Sequence, residues 1–357
     1  MITINLYNIF LDEWSEQWFN YIKNNPNLFM DYTEHISYNK NVTWKTICEN
    51  QSYPWDYNYL SMNENINFKI IQENNDKPWN YSNVSKNKNV TYYWVESMPD
   101  KPWDYDSLSS NFSISWNSIL KNPNKPWNYS AMSHSTKINW EIVQNNPTRN
   151  WNYWNLSQNN NITWEIIKNN PSKLWSYWMA SSNKNITWEI ILNNHDKYWC
   201  HHRFIFSNEN ISFSTIKKYY QYFRIYNYAI SRKQFITWEI VQQNPDINWD
   251  YCGLSTNPNI TFNILISNPD RPWSYDYFSS NVNVSWNIVE NNKSKNWNYN
   301  SLSCNAMDTE RNNFIRDKFQ NWFKRSNLKA ELMANVWHPR NFWKFKYLDS
   351  ETFGEDF

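Results

Sequence analysis

The stretch Asn161-Ile162-Thr163-Trp164-Glu165-Ile166-Ile167-Lys168-Asn169-Asn170-Pro171, with Trp175-Ser176-Tyr177 behind it, decides the fold. Thr163 carries the short side-chain oxygen of a helix N-cap, which accepts an orphan N–H of the first turn. Ile162 before it and Ile167 five positions on have the spacing of a hydrophobic staple. Glu165 places an anion where the helix dipole favours one. Pro171 cannot continue the helical hydrogen-bond ladder, so the helix stops near it. Trp175 lies 11 residues after Trp164 and is followed by Ser176, a second cap. The stretch therefore predicts two short helices.

The same pattern extends in both directions. A first series of aromatics runs Trp44, Phe68, Tyr92, Trp116, Trp140, Trp164, Trp188 at a spacing of 24, and resumes at Trp238, Phe262, Trp286. A second series runs Trp55, Trp79, Trp103, Trp127, Trp151, Trp175, Trp199, Trp249, Trp273, Trp297. The residue before each first-series aromatic is Thr, Ser or Asn, from Thr43 to Ser285. The residue after most second-series Trps is Asp, Asn or Ser, as at Asp56, Asn128 and Asp250. Both columns belong to the N-cap set. Asn63, Asn87, Asn111, Asn159, Asn183, Asn257 and Asn281 follow the second helix. Asn tolerates the left-handed conformation that Gly supplies at helix C-termini, which offers a reason why a helical chain contains only 2 Gly.

Isolated helices this short are unstable in water, so each unit must bury its aromatics against its neighbours. That is the logic of a solenoid. The expected fold is all-α: an α-solenoid of about eleven 24-residue, two-helix repeats over 41–305. Residues 1–40 read as a degenerate N-terminal capping unit, in which Trp18, Asn24-Asn25-Pro26 and Phe29 echo the repeat with shifted spacing. Residues 306–357 read as a C-terminal helical cap with an acidic tail. Such an array would be a rod or arc of roughly 100 Å.

The run beginning at Asn161 resembles a repeat found in large numbers of giant-virus (nucleocytoplasmic large DNA virus) proteins. So does Asn122-Pro123-Asn124-Lys125-Pro126-Trp127-Asn128-Tyr129. Many of those proteins also end in a segment like Glu331-Leu332-Met333 followed by Trp337-His338-Pro339-Arg340. The resemblance covers most of residues 40–345 and implies a viral origin. The family itself carries little functional knowledge, so it implies no chemistry.

Composition bounds the function further. The chain has 25 Trp, 25 Tyr and roughly 60 Asn, a strong departure from average usage. Formal net charge is +1, which gives no overall bias toward polyanions. The charge is uneven: residues 214–235 carry +5 with no acid, residues 311–346 carry +7, and the remainder sums to −11. Cys48, Cys200, Cys252 and Cys304 are too scattered for a disulfide framework, and free thiols fit a reducing compartment. Neither a signal peptide nor a membrane span is expected. The expected location is the cytoplasm of an infected host cell, or the virion.

No catalytic motif is present: there is no Gly-rich phosphate loop, no G-x-S-x-G and no H-E-x-x-H. Asp alternates freely with Asn and Ser at the cap column, which a general acid or base would not tolerate. Cys200-His201-His202, with His195 nearby, is the one Cys/His cluster. Its spacing is wrong for zinc and it has no second half, so Cys200 reads as a drifted cap and no metal or cofactor is expected. The unit beginning at Phe213 departs most from the pattern, with Tyr226-Asn227-Tyr228 standing for Trp-Asn-Tyr. It gathers the candidate binding residues Lys217, Lys218, Tyr222, Arg224, Arg232 and Lys233. The alternative for that patch is a solvated face. The leading expectation is a non-enzymatic scaffold for protein–protein interaction that binds a host or viral protein. The alternative is a nucleic-acid-binding helical repeat using the basic patch and the basic C-terminal segment.

Overall fold

A computed structural model describes residues 2–325. All regular structure among these residues is helical, with no strand. Each unit has a first, or A, helix such as Trp164–Asn169 and a second, or B, helix such as Tyr177–Ala180. Thr163 and Ser176 cap them, accepting from the N–H groups of Ile166 and Met179. The predicted caps occupy the N-cap position in every unit from Thr43 to Ser285, and only Thr91 and Thr261 leave the side-chain bond unmade. The second-series Asp, Asn and Ser caps from Asp56 to Asn298 make theirs in the same way, Cys200 alone making none.

The expected role of the Asn column is overturned. Among the described residues the only non-Gly residue with positive φ is Met307. Asn159, at the end of its B helix, has φ −71° and ψ 125°, an extended conformation. The column instead forms a buried ladder between units. Asn183 Nδ2 reaches back one unit to the carbonyls of Ser157, Asn159 and Ile162 at 2.9–3.1 Å. Its Oδ1 accepts the N–H of Asn185 at 2.9 Å. A primary amide can donate twice and accept at once, and the loops between units leave buried carbonyls that need donors. Gly has no side chain to offer, so Asn is used for its amide rather than its backbone freedom.

Two further columns bond within and between the units. Each second-series indole N–H donates to the carbonyl five residues before it, as Trp175 Nε1 does to Asn170 at 2.9 Å. A buried serine on most B helices accepts the cap N–H of the next unit and donates to its own helix. Ser157 Oγ accepts from Ser176 N at 2.8 Å and donates to the Tyr153 carbonyl at 2.7 Å. Serine is small enough to let consecutive B helices pack directly against each other. Apart from the first helix against Trp44–Glu49, consecutive A helices do not approach as closely.

The array has no free ends. Residues 1–40 are expected as a terminal cap, yet Thr33–Tyr38 is a twelfth B helix packed against the last, Tyr299–Cys304. Asn39 takes the next place in the ladder, its Nδ2 donating to the carbonyls of Ser303 and Asn305 at 2.9 and 3.1 Å. The second half of the long first helix, Ile2–Asn24, fills the A position between Trp286–Asn291 and Trp44–Glu49. Tyr21 stacks on Trp286 with ring centroids 4.2 Å apart, and Ser15 Oγ lies 2.5 Å from Thr46 Oγ1. The helix Asp308–Arg325 lies along the first helix, joined by Phe10–Phe319 and Trp14–Phe314 contacts and by the Lys318–Glu13 ion pair. The solenoid is a closed ring of twelve units, not the open rod or arc of the sequence reading. The expected cap beyond Arg325, with the Trp337-His338-Pro339-Arg340 run, lies outside the described residues.

Candidate interaction surface

The irregular unit differs from the sequence reading. Phe223, not Tyr226, takes the place of the missing Trp: it is buried, and its ring lies 4.5 Å from that of Trp188. The 35-residue offset from Trp188 to Phe223 matches that of Trp164 to Trp199, which pack at 5.9 Å. Tyr226 is only half-buried, because an added turn, Arg224–Tyr226, leads into the B helix without a cap. The serine that would bond such a cap is replaced in the preceding unit by buried Ile205.

The basic residues of this unit are divided, not gathered. Lys217 and Lys218 sit at the C-terminal end of the A helix Phe213–Lys218, on the edge that carries the A-to-B loops. Lys217 Nζ donates to Asn244 Oδ1 at 2.7 Å, and Lys218 Nζ lies 4.9 Å from the Tyr219 ring centre. Tyr222 and Arg224 are exposed near the same edge. Arg232 and Lys233 lie at the far end of the B helix Asn227–Ser231. Lys233 occupies the ladder position. Its ammonium donates to the carbonyls of Asn208 and Phe206 at 3.2 and 3.4 Å, where Asn stands in other units. Burial lowers its pKa to about 8. Lys137 plays a similar part beside Ser135, donating to the Ile114 carbonyl at 2.9 Å.

Cys200 stands at the N-cap position and makes no side-chain cap bond. His201 packs edge-on against Trp188 at 5.2 Å, and burial lowers its pKa. His202 stacks on Phe206 at 5.5 Å. Among the described residues no three His, Cys, Asp or Glu side chains converge as a metal site, and no helix is long and apolar enough to cross a membrane.

A surface the sequence reading missed lies on the first turn of the B helices, at the third residue after each second-series Trp. Around most of the ring this column is Asn58, Ser82, Asp106, Ser130, Cys252, Asp276 and Asn300. In four consecutive units it is Trp154, Trp178, His202 and Tyr228. Trp154 is 52% exposed and its ring lies 6.0 Å from Trp178. The Arg203 guanidinium lies 3.9 Å from the Trp178 ring centre, and Arg232 lies between Phe206 and Tyr228 at 5.5 and 5.4 Å. In the loops before these helices, Leu174 and Tyr198 are 85% and 80% exposed where other units carry Pro or Asn. With Trp154 and Trp178 they line an open apolar depression. None of the four rings in this column is needed to stack the units, since neighbouring units carry Ser or Asp there. The signal was legible only by comparing this column across units, because Trp is expected everywhere in so Trp-rich a chain.

No protein-family model, curated protein or solved structure matches this chain.

Proposed function

We propose that the chain is a non-enzymatic ring scaffold for protein–protein interaction, with the aromatic and arginine stripe from Trp154 to Tyr228 as its binding surface. The observation that supports this reading is the column itself. Four adjacent units carry large rings, Trp154 and His202 exposed and Trp178 and Tyr228 half-buried, where the rest of the ring carries Asn, Ser, Asp or Cys. Contiguous exposed apolar surface rimmed by polar residues marks interaction sites, and aromatics and Arg are the residue types that dominate such contacts. Repeat proteins use their extended surfaces in this way. The resemblance to giant-virus repeats supports a viral setting, in which the partner is a host factor or a virion or assembly component, met in the infected-cell cytoplasm or in the particle.

The test is affinity purification of the tagged ring from cells that produce it, comparing the native chain with Trp154→Ala/Trp178→Ala/Tyr198→Ala. Proteins recovered with the first and lost with the second support the reading. Identical recoveries with the variant still folded would place the binding surface elsewhere.

A further inference from the structure

We infer that the stripe takes an extended acidic peptide segment of a protein partner, with apolar side chains set between its carboxylates; this rests on the reading of the ring as a protein-binding scaffold. Arg203 and Arg232 carry the inference. Each guanidinium lies against aromatic rings, Arg203 on Trp178 and Arg232 between Phe206 and Tyr228. Neither forms an ion pair with a carboxylate among the described residues, and Arg232 Nη1 donates only to the Tyr228 hydroxyl at 3.5 Å. A guanidinium held on an aromatic face keeps its fork of N–H donors for a planar anion, which a carboxylate matches with two parallel bonds.

Local charge agrees. Residues 150–235 hold ten Lys and Arg against four Asp and Glu, a balance of +6; the whole chain is +1, so the remainder is −5. Along the exposed column the stripe is bounded by Asp106 on one side and Asp276 on the other, each one unit beyond an uncharged Ser130 or Cys252. A ligand with a few carboxylates fits within these limits. A polynucleotide needs basic groups along the whole path of its phosphates, and here it would run onto Asp at both ends.

The spacing points to an extended chain. Every second side chain of an extended peptide lies on one face, about 6.6 Å from the next. The Trp154 and Trp178 rings are 6.0 Å apart. Apolar residues at alternate positions would lie on Trp154 and Trp178, and carboxylates further along would reach Arg203 and Arg232.

The test uses the full chain, a fluorescent 12-residue peptide alternating Asp or Glu with Phe or Leu, its Asn/Gln counterpart, and a 12-nucleotide oligo(dT), all read by anisotropy at one salt concentration. The acidic peptide is expected to bind, with at least tenfold weaker binding for the uncharged peptide and for Arg203→Glu/Arg232→Glu. Trp154→Ser, which installs the residue of the adjacent unit, is expected to weaken binding without unfolding the ring, checked by thermal melting. Tighter binding of oligo(dT), lost in the same variants, would overturn the inference in favour of single-stranded nucleic acid. No binding of the acidic peptide, or equal binding of the uncharged one, would overturn it outright. If the peptide fails while the Trp154, Trp178 and Tyr198 variant still loses its cellular partner, the ligand chemistry is wrong and the scaffold reading stands.

Discussion

Asn39 Nδ2 lies 2.9 Å from the carbonyl oxygen of Ser303, making across the seam the bond that Asn63 makes to Ser37 and Asn183 to Ser157. In sequence the first pair is 264 residues apart and the others 26. The ladder does not distinguish the seam from any interior joint, and this has a measurable consequence. Removing an amide that serves buried carbonyls costs about 1–3 kcal/mol. Asn39→Ala and Asn183→Ala should therefore lower stability by similar amounts in urea unfolding. An open array would leave Asn39 near an end, and its loss would cost under about 0.5 kcal/mol, as surface changes do.

The Trp columns are not energetically alike. The sequence reading treats every unit Trp as core, with Trp164 typical. Trp164 is only half-buried, between Tyr177 and Trp199, whereas Trp188 is almost wholly buried against Phe204 and Phe223. Trp188→Ala should cost the roughly 3–5 kcal/mol of a large aromatic truncation, and Trp164→Ala clearly less. The Trp188 indole N–H is buried without a partner, so Trp188→Phe should cost only a small part of the Ala penalty. Thermal unfolding of the three variants checks the order.

Lys233 gives the ring a pH dependence of predictable sign. Its folded pKa is lowered from 10.5 to about 8, chiefly by desolvation. Between those values the unfolded chain binds the proton and the folded chain does not, so this group makes stability rise with pH. Below pH 8 both forms are charged and the penalty is constant and full. Lys233→Asn, which restores the ladder residue, should melt higher than the native ring at pH 7, with the gap narrowing toward pH 10. A gap that stays constant or widens across that range would show that the ammonium is not desolvated.

Gly253, in the B helix Tyr251–Thr256, faces the B helix Asn227–Ser231. A Cβ there would meet the Tyr228 carbonyl oxygen at 2.6 Å and Ser231 Cβ at 3.0 Å. The obstacle is backbone, so it cannot rotate away. Gly253→Ala should destabilise by about 1–3 kcal/mol, the usual cost of overpacking, even though Ala is the better helix former. Equal or higher stability in denaturant unfolding would mean that the irregular unit yields at this joint.

Local chemistry was legible in the sequence and closure was not. Thr163 and Ser176 reveal their caps because capping involves only the next three residues. The Asn column was visible as a repeat but given the wrong cause, since Asn183 bonds to carbonyls 21–26 residues back that no local pattern displays. The serine column went unread for the same reason: Ser157 meets Ser176 N from the following unit. Closure depends on Tyr21 and Phe29, whose spacing departs from 24 because a long helix replaces a short one, and on Asn39, which keeps the 24-residue spacing to Asn63 but meets a partner 264 residues away. The stripe was hidden because Trp154 and Trp178 look like two more Trps until they are set beside Ser130 and Cys252.

The basic residues of the irregular unit can now be separated by mutation. Lys217, Lys218 and Arg224 lie on the edge of the A-to-B loops, and only Lys217 is bonded to the next unit, through Asn244. Lys217→Glu/Lys218→Glu/Arg224→Glu should leave stability within about 1 kcal/mol, as exposed changes do. It should also leave binding at the stripe within a few-fold, since Arg203 and Arg232 are retained. Lys233→Glu removes a donor from the carbonyls of Asn208 and Phe206 and sets a carboxylate against them. That change should cost more than the triple variant despite altering one residue. Melting and peptide anisotropy on the two proteins decide the matter. If the triple variant abolishes binding while still folded, the functional surface is the loop edge, as the charge pattern of the sequence first suggested, and not the aromatic column.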